Sequence, residues 1–379
     1  MSGPETRRPK LEEEVGGAEL DIHKILEEIH REEKDSPRLE MSDRATEQLK
    51  EFLEQCKSGD PKVVAVIRCW NKNREELAVL FSRLEKMRQI IPELGGAIVA
   101  INADQDKDQQ TSAGIEEILA KDKLSFSVVP LPVRGYTWTA GLNGPAALLH
   151  QTSQAEHVPE ENIFVFNLSF DVEFNDAELE KIAKRFRAGK VIVTARQEGE
   201  EDITQERRKE VARIITDVIS HPEKKEEEYS GSQEILEKIL SVARNTAALA
   251  SLSEIVRMGG YNNFCNKAGG QEDQDLYTRI LLEAFLEAKI FEKIDDLPIE
   301  EKEKRVAARK KAKKILEALR DAVGYQDPAW NKMPADKREA KIKRETTSRR
   351  IISKNIFALV KISDPNKYKT PEQNRDFNF

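Results

Sequence analysis

Glu272, Asp273 and Asp275 stand within four positions, behind Gly-Gly pairs at 259–260 and 269–270 and ahead of an apolar helical pattern (Leu276, Ile280, Leu281, Ala284, Phe285). Unpaired amides and the macrodipole favour acids at a helix start, so capping alone accounts for three carboxylates. Capping does not require the glycines. Two backbone-exposing pairs before an acidic helix start suit a wall built around a ligand.

Other residues of chemical interest follow apolar runs. Residues 63–67 are continuous and rich in valine, as expected of a strand buried on both faces, and Trp70 and Asn71 come directly after them. An aromatic ring leaving a strand end can stack on a base or wall it off, and an Asn can hold a backbone turn or a ribose. Asp104 follows a second run at 97–101. A carboxylate accepts hydrogen bonds from a base N–H and from ribose hydroxyls, so it suits uracil or guanine. Asp108 or Thr111 would cap the next helix. Residues 163–166 lead to Ser169, Phe170, Asp171 and Glu173.

The elements that must position these residues alternate. Strands are expected at 63–67, 97–101, 126–129, 163–166 and 190–193, with helical spacing at 77–91, 115–119, 146–149 and 179–186 between or after them. Asn73 with Glu76 is a helix start signal. This alternation predicts an α/β fold with a parallel or mixed sheet covered on both faces, whose ligands bind outside the carboxyl ends of the strands. Short helices are expected within residues 1–60, the second capped by Ser42 or Asp43. Residues 200–240 read as a charged, mostly helical insert, and 300–323 as a long helix with Ala308, Ala312, Ile315, Leu319 and Ala322 on one face. Its spacing predicts packing on the main domain or on a second copy.

The segment from Gly259 to Leu276 resembles the Gly-Gly-Phe…Gly-Glu-Asp-x-Asp-Leu signature of family 2 glycosyltransferases with the GT-A fold. The resemblance extends over most of 61–294. Family members commonly read Ile-Pro-x-Tyr-Asn where this chain has Arg68 for the proline, Trp70 for the aromatic residue and Asn71. Their Asp-Asp-Gly-Ser-x-Asp-x-Thr is similar to the segment from Asn102 to Thr111, with Asp104 as the nucleobase contact. Their Gly-x-x-x-Ala-x-Asn-x-Gly, which opens a helix under the diphosphate, places Asn143 and Gly144. Their Asp-x-Asp appears as Ser169-Phe170-Asp171, the first acid lost and the second, the more direct holder of the divalent ion, retained.

The resemblance implies a GT-A, Rossmann-like mixed and mostly parallel sheet at 61–295, with a helical N-terminal extension (1–60) and a charged helical C-terminal extension (296–379). It implies inverting transfer of a sugar from a nucleoside diphosphate sugar, UDP or GDP, to an acceptor hydroxyl on a glycan, lipid-linked or small-molecule acceptor. Asp273 would be the base, and Glu272 would orient the loop or bind acceptor hydroxyls. Tyr261 and Gly270 would line the acceptor side. Trp70, Asn71, Asp104 and Asn143 would bind the nucleotide, and Asp171 a divalent cation, Mn or Mg.

Bulk composition narrows the field further. Formal net charge is −7, which leaves the whole molecule without a nucleic-acid footprint. Three cysteines without a Cys-x-x-Cys pair give no zinc site or disulfide framework and favour a reducing compartment. The polar N-terminus and the lack of a long apolar run predict a cytoplasmic protein, with the terminal helices touching a membrane surface or a second copy. The basic run 337–350 would serve anionic lipid, or simply be a solvated surface. A nucleotidyltransferase would need a Gly-rich, Lys- or Arg-bearing loop after the first strand, which residues 68–71 lack. A catalytically silent GT-A-like nucleotide-binding or scaffold protein is the second reading, supported by the altered Asp-x-Asp.

Overall fold

The computed structural model describes residues 41–135, 139–189, 192–197, 248–261, 298–320 and 323–341, together with 276, 280 and 343. The strands are β1 (Lys62–Cys69), β2 (Leu94–Asn102), β3 (Ser127–Val133), β4 (Ile163–Ser169), β5 (Ile192–Gln197), β6 (Ala248–Ser251) and β7 (Val323–Tyr325). They form one sheet in the order β3-β2-β1-β4-β6-β5-β7. β1 to β4 run parallel, β6 is antiparallel to both of its neighbours, and β5 and β7 are parallel to each other. The chain is thus α/β, with a mixed, mostly parallel sheet flanked by helices, consistent with a Rossmann-like fold.

The helices are α1 (Asp43–Cys56), α2 (Arg74–Ile90), α3 (Gln110–Lys121), α4 (Ala140–Ala155), α5 (Asp176–Arg187), α6 (Leu252–Arg257), α7 (Ile299–Arg320) and α8 (Pro328–Lys332). One apolar layer joins Val63, Ala65, Ile67, Val99 and Ile101 of the sheet to Leu77, Phe81, Leu84, Ile115, Leu179 and Phe186 of α2, α3 and α5. The alternate strand residues Val64, Val66, Ile98 and Ala100 are buried on the opposite face, where α4 packs across β1, β2 and β3. Burial on both faces explains why the strands read as continuous apolar runs. α2 starts at the expected signal: Asn73 and Glu76 form a capping box, with Glu76 N–H donating to Asn73 Oδ1 at 2.9 Å.

α1 is capped by Ser42, whose Oγ accepts from Ala45 N at 3.1 Å. Its stripe of Ala45, Leu49, Phe52, Leu53 and Cys56 is buried against β2 and β3, so this helix belongs to the sandwich. β3 runs on through Pro130 and Pro132 past the expected 126–129; it is the edge strand, where a missing N–H is tolerated. The helix expected at 300–323 stops at Arg320, and Val323–Tyr325 instead pairs with β5. Ala308 and Ala312 are buried, and Lys311 Nζ reaches Glu254 of α6 at 2.8 Å. Among the described residues no helix is long and apolar enough to cross a membrane. The stripe at 22–29, the insert at 200–240 and the Ile315, Leu319 and Ala322 side chains lie outside the described residues.

Candidate functional site

β1 leads through α2 to β2 on one side, whereas β4 pairs with β1 on the other. The strand order therefore reverses between β1 and β4, and in an open α/β sheet a crevice forms outside the carboxyl ends at such a point. The residues leaving those ends are Trp70 and Asn71 after β1, Asp104 and Asp106 after β2, and Phe170 and Asp171 after β4.

The β1 and β2 exits are tied together by Asp106, a buried carboxylate. It accepts from Asn71 N at 2.9 Å, from Thr111 N at 3.1 Å and from Ser112 N at 3.4 Å. The Thr111 hydroxyl bonds to it as well, and that hydroxyl also accepts from Lys72 N at 3.0 Å. Asn71 holds a left-handed backbone (φ 51°), and its Oδ1 accepts from Lys107 N at 2.7 Å. A short side-chain amide that tolerates this conformation and closes a local turn suits the position. The start of α3 is thus capped by Asp106, which accepts from the amides of Thr111 and Ser112; the Asp108 side chain lies outside the described residues.

A second polar group lies on the face covered by α4. Arg68 is register-paired with Ala100 on β2 and with Ser169 on β4. One step toward the strand starts, Val66 is paired with Asn167. The Asn167 Nδ2 donates to the Tyr261 hydroxyl, and the Tyr261 backbone is held by Asn143 through bonds of 2.7 and 2.8 Å. One step toward the strand ends, Asn102 is buried, and its Oδ1 has no hydrogen-bond partner among the described residues. A buried amide oxygen without a donor calls for an explanation, and a bound molecule is one.

The expected residues therefore separate. Trp70 (half-buried), Asn71, Asp104 and Asp171 (all exposed) are brought to the carboxyl edge of the sheet. Asn143 and Tyr261 are bound to each other behind it. Asn143 sits inside α4, which begins at Ala140 and carries Pro145, and not in a turn before the helix. Its carboxamide is engaged by the Tyr261 backbone, and Tyr261 is fully buried. Gly270, Glu272 and Asp273 lie outside the described residues. Reading the residue types missed Asp106 and Asn102. Asp106 is buried where Asp104 is exposed, a difference that spacing does not reveal; Asn102 carried a signal as the last residue of a strand with a polar side chain.

Electrostatics removes one candidate chemistry. Burial pushes the Cys69 thiol, at the end of β1, up to about 12, so it is no thiolate nucleophile. The donor set for a cation is also sparse. Ser169 takes the place of one acid, and Glu173 is turned toward Arg83 at 3.5 Å while its backbone pairs with Gln326. Among the described residues no three His, Cys, Asp or Glu side chains converge to hold an ion.

The chain matches no family model, no curated protein and no solved structure.

Proposed function

We propose that the chain is a nucleotide-sugar-dependent glycosyltransferase of GT-A architecture. One observation carries this reading: the reversal point between β1 and β4 gathers Trp70, Asn71, Asp104 and Asp171 at a single sheet edge. These are residues for which the family resemblance names a nucleotide or diphosphate role. The indole would lie against the base, and the carboxylate of Asp104 would accept from its N–H or from the ribose. Asn143 supports the site from behind by holding the Tyr261 backbone.

In the proposed reaction the acceptor oxygen forms a bond to the anomeric carbon on the face opposite the diphosphate. The carbon–oxygen bond to the diphosphate breaks, and the nucleoside diphosphate leaves with the bonding pair. Asp273 takes the acceptor proton, and the sugar carbon inverts. A positioned base of this kind contributes roughly 10²- to 10⁴-fold. This role for Asp273 rests on the resemblance. No step is assigned to a divalent cation.

A catalytically silent nucleotide-binding protein is favoured by a different observation, Ser169 in the place of the first acid. Donor hydrolysis separates the two. Turnover of UDP- or GDP-sugar by the wild type, reduced at least tenfold in Asp273→Asn, supports the enzyme. Nucleotide binding without turnover supports the silent protein, and absence of both removes the nucleotide reading.

A further inference from the structure

Far from the crevice, α7 turns a basic face outward. The helix carries nine Lys and Arg against four Glu, in a chain whose formal net charge is −7. Its inner side is settled: Arg305, Ala308 and Ala312 are buried, and Lys311 reaches Glu254 of α6 at 2.8 Å. Along the helix Lys304 is paired with Glu300 at 3.0 Å, and Arg305 with Glu301 at 2.6 Å. Lys310, Lys313 and Lys314 are exposed, and none of them stands in an ion pair with a described residue.

Large hydrophobic side chains lie exposed on the same face. Ile299 is 78 % exposed and Val306 37 %. Counted from Ile299, the five residues fall at i, i+7, i+11, i+14 and i+15. They occupy about 100° of the helix circumference and about 22 Å of its length. Between Ile299 and Lys314 that arc holds one acid, Glu303, which is exposed as well. Lys310 is three residues from Lys313 and four from Lys314, spacings at which like charges destabilise a helix. Exposed apolar surface beside mutually repelling lysines is relieved by one kind of partner, an anionic surface with an apolar layer beneath it. Lysine stems lie along such a boundary while their ammonium groups stay in the polar layer.

We propose that the outer face of α7 rests on an anionic lipid bilayer, with Ile299 and Val306 entering the headgroup layer and Lys310, Lys313 and Lys314 set against the lipid phosphates and carboxylates. Compact, hydrated lysine charges suit this diffuse field, which asks for no paired geometry. Single-stranded nucleic acid offers charge too, but it is held by aromatic and arginine side chains that stack on bases, and this face offers Ile and Val. Each lysine near such a membrane gives about a fivefold gain, and three together about 100-fold, so the contact is reversible. It is independent of what the crevice binds.

The test is sedimentation of the full chain with two kinds of vesicle, phosphatidylcholine alone and phosphatidylcholine with phosphatidylserine at about 2:1. Wild type is expected to bind the anionic vesicles only, and to leave them as salt is raised. The triple variant Lys310→Gln, Lys313→Gln, Lys314→Gln weakens binding by about 100-fold. The double variant Ile299→Ser, Val306→Ser weakens it by about 5- to 20-fold. All five positions are exposed, so the melting temperature should stay within about two degrees. A charge-matched control, Lys50→Gln, Lys86→Gln, Lys123→Gln, removes three exposed lysines elsewhere and keeps wild-type binding. Equal loss in that control overturns the proposal, because bulk charge then suffices. So does failure of the wild type to bind anionic vesicles. A loss in the lysine triple with none in the apolar double overturns it as a lipid contact, since charge alone needs no bilayer. If the wild type ignores vesicles, two further measurements reassign the face. A dimer in light scattering that the lysine triple dissociates gives it to a second copy, and poly-uridine binding lost in that variant gives it to nucleic acid.

Discussion

The Asn143 carboxamide closes two hydrogen bonds on the backbone of Tyr261, accepting from its N at 2.7 Å and donating to its O at 2.8 Å, across 118 positions of sequence. Both partners are buried. Asn143→Ala leaves a backbone donor and acceptor unpaired in the interior, a loss of about 2–4 kcal/mol. Thermal or urea unfolding checks the magnitude. Nucleotide affinity, measured well below the transition, should fall only where the segment after Gly260 loosens, so proteolysis near Tyr261 should rise with it.

Tyr261→Phe is expected to cost about 1–3 kcal/mol, because it strands the buried Asn167 amide that donates to the Tyr261 hydroxyl. A double-mutant cycle with Asn167→Leu tests this. With both polar groups gone, the loss should be smaller than the sum of the single losses. Additive losses would show that the two side chains are not coupled.

Asp106 takes amides from both crevice loops, so Asp106→Asn should act on shape as well as stability. The neutral amide retains one acceptor oxygen for the three backbone N–H groups and brings two donors of its own. The expected loss is about 2–3 kcal/mol, with weaker binding of UDP or GDP through the displaced Asn71 turn. Asp104→Asn, at an exposed position, should leave the melting temperature within about a degree. A comparison of the two melts is decisive: equal shifts would contradict the hub assigned to Asp106.

The parallel half of the sheet could be read from sequence because burial on both faces forces unbroken apolar runs, as at 63–67 and 97–101. The reversed half could not. β6 is Ala-Leu-Ala-Ser, four residues of modest strand preference whose extended form is imposed by β4 and β5 on either side. β7 is three residues behind a helix rich in Ala, Lys and Glu, so the helical pattern ran on over it. At the site, Trp70, Asn71, Asp104 and Asp171 could be placed because they follow strands. Asn143 and Tyr261 could not be recognised as a bonded pair, since nothing local to either residue marks a contact 118 positions away. Arg68 read only as an unusual replacement for proline, and the register that sets it beside Ser169 is a long-range pairing that no local pattern marks.

The tie between α6 and α7 should be acid-sensitive. Burial of the Glu254 carboxyl raises its pKa, but Lys311 and Arg257 together outweigh that effect and hold it below the ordinary 4.5. A carboxyl whose folded value is lowered stabilises the fold above the unfolded value and loses that contribution as pH falls through the folded one. The stability difference between wild type and Glu254→Gln should therefore be largest near neutral pH and shrink steadily below 4.5. Lys311→Met, which leaves a largely buried carboxylate with Arg257 as the cation beside it, should cost about 1–3 kcal/mol at neutral pH and much less in acid. Because α6 leads directly into Gly259, Gly260 and Tyr261, hydrogen exchange at 252–261 should rise together with exchange at 299–320 in that variant. Exchange that rises in α7 alone would show that the C-terminal helix rests on the sheet without steadying the segment beside the crevice.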